Sequence, residues 1–208
     1  MTSSDTEYAV TIAAARLFRS YDRHCVMADD DALFDFLNAL HSFGDKVGAM
    51  GRPNLNPSQN FQALRALRNL YHHEAELLHA SRTISAENVP TITSDLAMLC
   101  LIPDASVERL NARAKDENER EAIRATVHRY GSAANVEPAI FNVMLDAYEL
   151  MSAKGITPDE ATFARFRDQY DFEILHGYDH RVTGTLSAHA GSISNILATL
   201  LQAPERGG

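Results

Sequence analysis

Arg65, Arg68, Asn69, His72, His73, Glu76, His79 and Arg82 concentrate proton-exchanging and anion-binding groups in one stretch. Its apolar residues Phe61, Leu64, Leu67, Leu70 and Leu78 recur at helical spacing. At about 100° per residue, Arg65, Arg68, His72, Glu76 and His79 fall in one stripe, and His73 stands to one side above Asn69. A histidine titrating near neutral pH can take a proton, and the rigid fork of an arginine matches phosphate oxygens. Together they suit acid–base chemistry on a phosphate ester. Paired with Glu74 and Glu76, the same residues also make an ordinary solvated face.

A second chemistry overlaps the first. Glu76-Leu-Leu-His79 and Glu173-Ile-Leu-His176 are Glu-x-x-His pairs, the spacing by which di-iron and di-manganese bundles aim two ligands inward. His176 and His180 stand i, i+4, so two imidazoles can share one zinc. Glu76, His79, Glu173, His176 and His180 are therefore a candidate metal set, with di-iron, di-manganese or zinc as its cofactor. Glu7 and Glu149, or Asp31 and Asp146, are the carboxylates available to complete such a centre.

Arg68-Asn-Leu-Tyr-His-His73 places an Arg, a polar residue directly after it and a His five positions on. This resembles the HEPN family, whose signature is Arg, four to six residues, then His, commonly with Asn, Asp or His beside the Arg. The resemblance covers about residues 5–82. It implies an all-α fold, a homodimer, and a metal-independent endoribonuclease of toxin or defence type that needs no cofactor. Arg68, Asn69 and His73 would be its catalytic residues. Arg65, His72 and Arg82 would bind RNA. A protein antitoxin or regulator is a further partner that the resemblance allows.

The elements that must position these groups read as helices nearly throughout, because apolar residues recur at three- and four-residue steps and strict alternation is rare. Helices are expected over about Thr6–Arg23, from Asp29–Asp31 to near Gly51, from Asn56 and Pro57 to about Arg82, and in a short apolar run to Ile102. Thr83–Thr93 reads as a loop. Further helices start at Pro103-Asp104, at Glu137-Pro138 and at Thr157-Pro158, and a last one spans Thr185–Gln202. The last carries Leu186, Ile193, Ile196, Leu197, Leu200 and Leu201 as a core-closing stripe. The expectation is an all-α bundle of about seven or eight helices. It is one domain over 1–202, with a division near 103 allowed and a flexible tail at 203–208.

The 208-residue chain has a formal net charge of −9, so it has no global basic field to attract nucleic acid or an anionic membrane, and any such site must be local. Cys25 and Cys100 match no metal or disulfide spacing, which favours a reducing, cytoplasmic setting. No leader pattern and no run of 18 apolar residues are seen, so no membrane is expected. No phosphate-binding glycine loop or nucleophile elbow occurs. A helical interaction protein without catalysis is the third reading these features allow.

Overall fold

The computed structural model describes residues 3–27 and 29–202; the tail at 203–208 lies outside them. The fold is mostly helical, as the periodicity implies, with small antiparallel sheets added. Helices α1 (Ser3–Val26) and α2 (Asp30–Ala49) form a hairpin. Asp29 caps α2 by accepting from the Ala32 N–H at 2.6 Å, with Asp30 and Asp31 favourably placed in its first turn. Leu33, Phe36, Leu37, Leu40, Phe43 and Val47 give α2 one buried face.

Helix α3 (Gln59–His73) is capped by Ser58, whose Oγ accepts from the Phe61 N–H at 3.1 Å, and not by Asn56. It also stops short of Arg82. Glu74 leaves helical geometry at φ −135°, ψ 71°, because its buried carboxylate turns to ion-pair with Arg109 and Arg113. A four-residue helix α4 (Ala75–Leu78) follows.

The segments expected to be a loop and a short apolar helix are instead strands. β1 (Arg82–Ser85), β2 (Ile92–Thr93) and β3 (Met98–Pro103) are followed by α5 (Asp104–Arg113) and α6 (Glu117–Thr126). Then come β4 (His128–Tyr130), β5 (Ala133–Asn135) and α7 (Glu137–Lys154). The main sheet has the order β1-β3-β5-β4, all antiparallel, with Thr83 opposite Cys100 and Ile102 opposite Ala134. β3 is buried on both faces. Cys100 and Ile102 join the main core of α1, α2, α3 and α7, whereas Leu99 and Leu101 join a second cluster with Val89, Ile92, Leu186 and Leu197. A strand apolar on both faces shows no alternation, so its run Met-Leu-Cys-Leu-Ile reads like buried helix. Pro103 ends this central strand, and β3 pairs with β1 before it and β5 after it, so both halves of the chain build one sheet.

Helix α8 (Ala161–His176) begins after Pro158 and packs on α1, where Phe18 meets Phe163 and Phe166 edge-on at 5.1 and 5.3 Å. The last expected helix is shorter. Ser187 and Ala188 form β6 against β2, and α9 runs only from Ile193 to Gln202. The segment before β6 is tied down at Gly184, which has φ +67° and donates its N–H to Asp95 Oδ2 at 3.1 Å. A Cβ there would lie 2.0 Å from Pro138 Cγ. Gly184→Ala is therefore expected to cost at least about 1–3 kcal/mol from the left-handed backbone alone, read as a lower urea midpoint; an unchanged midpoint contradicts this packing.

His128, half-buried on β4, has its pKa lowered by burial, partly opposed by Asp95. A folded imidazole harder to protonate than the unfolded one, whose pKa is about 6.5, makes stability full above that pH. Stability then falls as the unfolded chain takes the proton first. His128→Asn is expected to flatten stability against pH on the acid side of that value, measured by urea unfolding at a series of pH values.

Candidate functional site

The C-terminal half of α3 faces α5 and α6 across a cleft of about 360 Å³ lined by Asn69, His73, Leu70, Leu110, Arg113 and Glu119. Asn69 and His73 reach it together because they are four residues apart on one helix. Arg68, which does not line the cleft, is half-buried next to Asn69. Its Nε donates to Asn38 Oδ1 of α2 at 2.9 Å, and its Nη1 to Asn69 Oδ1 at 3.4 Å. Both partners are neutral amides, and Arg68 makes no ion pair among the described residues. Its charge is thus positioned without being neutralised.

The neighbouring cations are arranged differently. Arg65 lies 3.6 Å from Glu119 and over the Phe61 ring at 5.6 Å, and Arg109 and Arg113 share Glu74. These ion pairs hold α5 and α6 against α3. Arg113 lines the cleft, and together with Arg65, Arg68 and Arg109 on α3 and α5 it faces only Glu74 and Glu119 in ion pairs among the described residues, which makes this a locally basic place on an acidic chain. His72 and His73 are exposed, with ring centroids 5.5 Å apart.

The expected stripe does not extend beyond His73. Arg82 belongs to β1, where its Nη1 donates to the carbonyls of His79 and Ser81 at 2.8 and 2.7 Å. Glu76 is exposed on α4, and His79 Nδ1 pairs with Asp30. On the other side of the metal set, His180, beyond the end of α8, meets Glu173 through Nδ1 at 2.6 Å, and His176 Nδ1 meets the Phe172 carbonyl at 2.7 Å. The two Glu-x-x-His pairs do not converge among the described residues. The carboxylates offered to them are engaged elsewhere: Asp146 by Arg181, Ser58 and Asn60, and Glu149 by Arg181.

A cluster that the sequence analysis did not single out lies in the main core. His24 of α1 and Glu137 of α7 are both buried, and His24 Nε2 hydrogen-bonds Glu137 Oε2 at 2.9 Å. Cys100 of β3 completes the group, with one ligand-capable atom from each residue within 4.8 Å of the others. Asn135 Oδ1 accepts from the backbone N–H groups of Cys100 and Glu137 at 3.1 and 3.2 Å. Burial first, and then the Glu137 charge, push the Cys100 thiol far above its ordinary range and the Cys25 thiol up to about 12. His24 and Glu137 stand 113 positions apart and neither lies in a local motif, so only the fold brings them together.

Among the described residues no helix is long and apolar enough to cross a membrane, and both cysteines are free. Comparison with protein-family models, curated proteins and solved structures finds no match to this chain.

Proposed function

We propose that the cleft between α3 and α5 binds the RNA backbone and cleaves it without a metal, as the resemblance of Arg68, Asn69 and His73 to the HEPN signature implies. The observation that carries this reading is Arg68: a half-buried guanidinium held by two amides, one of them Asn69, which lines the cleft together with His73. A guanidinium so held presents its charge to an incoming anion and meets two phosphate oxygens in fixed geometry.

In the reaction, His73 takes the proton of a ribose 2′-hydroxyl. The 2′-oxygen forms a bond to phosphorus, the bond from phosphorus to the 5′-oxygen breaks, and the departing oxygen takes a proton from water. The products are a 2′,3′-cyclic phosphate and a 5′-hydroxyl. Arg68 stabilises the charge that gathers on the phosphate oxygens, and Asn69 holds Arg68 toward them. Arg65, with His72, extends the basic edge along which a strand lies. A second copy of the chain would add a second cleft, and exposed Phe172, Ile174, Leu175 and Tyr178 offer apolar surface for association. Free thiols suit the reducing cytoplasm, where a protein antitoxin or regulator would restrain the activity.

Wild-type protein incubated with single-stranded RNA and EDTA is expected to yield cyclic-phosphate ends. His73→Ala, at an exposed position, is expected to fold and not to cleave. RNA left intact by the wild type, or cleavage undiminished in His73→Ala, overturns this reading.

A further inference from the structure

We infer that His24, Cys100 and Glu137 form a binding site for a thiophilic divalent cation, zinc in the cell, buried between α1, β3 and α7. One imidazole, one thiol and one carboxylate from three separate elements bring their ligand atoms within 4.8 Å of one another. Three protein ligands of this mixed nitrogen, sulfur and oxygen type are what zinc takes when it keeps a fourth position open.

A further observation points to a ligand. Asn135 Nδ2, buried beside the group, has no hydrogen-bond partner among the described residues. Buried polar atoms left unsatisfied are uncommon. A bound ion held by His24 Nε2 accounts for it, by leaving a thiolate or carboxylate lone pair for the Asn135 amide to donate to. Phe36 stacks on the His24 ring at 6.0 Å and holds its orientation.

The ion also has a way in. Glu137 lines a cleft of about 390 Å³ together with Tyr21, Cys25 and Glu87. One of the three ligands therefore borders solvent-reachable space, from which water can fill the fourth position. Binding requires Cys100 to give its proton to solvent and form a sulfur–metal bond, while the hydrogen bond between His24 and Glu137 gives way to a bond from each to the ion. The site is independent of the cleft at His73, and its test uses no RNA.

The test is cobalt titration of the full chain after reduction and removal of metal by a chelator. Near-stoichiometric uptake is expected, with a thiolate-to-cobalt charge-transfer band and the visible bands of a tetrahedral ion, both removed by zinc and unaffected by magnesium. Cys100→Ser is expected to lose the charge-transfer band, and Cys25→Ser to keep it. If Cys100→Ser does not fold by circular dichroism, X-ray absorption of the wild-type zinc protein decides the matter, since one sulfur is expected among the ligands of each zinc. A wild type that gives no thiolate band, a folded Cys100→Ser that retains the band, or a zinc shell without sulfur overturns the site.

Discussion

His73→Ala is expected to lower RNA cleavage by about 10²–10⁴-fold, the usual contribution of a positioned proton acceptor, with thermal unfolding unchanged. The separation of activity from stability follows from the geometry. His73 is exposed at the end of α3 and contributes nothing to the core packed by Leu64, Leu67 and Leu70, so its removal leaves neither a cavity nor an unpaired buried group. Arg68→Lys provides an internal control. A lysine keeps the charge but cannot donate to both Asn38 and Asn69 in the fixed geometry of the guanidinium, so cleavage is expected to fall while RNA affinity changes little. Equal loss of affinity and turnover in Arg68→Lys would mean that the arginine acts only as a backbone clamp.

Glu137→Ala, measured with chelator present so that no metal contributes, is expected to destabilise the protein by about 3–5 kcal/mol. His24 and Glu137 are each almost wholly out of contact with solvent, and among the described residues the bond between them is the only one made by the imidazole nitrogens. Removing the carboxylate strands a polar ring among Phe36 and the core of α2. Glu137→Gln retains an oxygen that can accept from Nε2, and its cost is expected to be about 1–3 kcal/mol. The midpoints of urea unfolding for the two variants order them. A Glu137→Ala cost below that of Glu137→Gln would show that the pair does not hold α1 to α7.

The helical hairpin at the start of the chain is legible in the residues themselves. Val10, Ala14, Leu17 and Phe18 on α1, and Leu33, Phe36, Leu37, Leu40 and Phe43 on α2, are all buried, as their spacing implies. So is the placement of Arg68, Asn69 and His73 on a single helix. Two features are decided by tertiary forces that a local pattern does not carry. Glu74 breaks α3 because two arginines some 35 positions later claim its carboxylate, and nothing within a helical turn of Glu74 announces them. Strand β3 is hidden because its two faces meet two different apolar clusters, which erases the alternation that marks a half-buried strand. The buried group of His24, Cys100 and Glu137 depends on both. Cys100 can face α1 and α7 only if its segment is a strand, so reading that segment as a helix conceals the site.

The second apolar cluster also has a consequence for how the protein is made. Leu99 and Leu101 are roofed by Leu197 and its neighbours on α9, which are synthesised long after β3. While α9 is still within the ribosomal exit tunnel, the emerged chain can already pair β1 with β3, yet one side of that sheet is an uncovered apolar strip. During this interval the nascent protein is a natural client for a chaperone and is prone to associate with its neighbours on a polysome. Emergence of α9 from the tunnel, rather than formation of the first core, is then the event that ends its vulnerability.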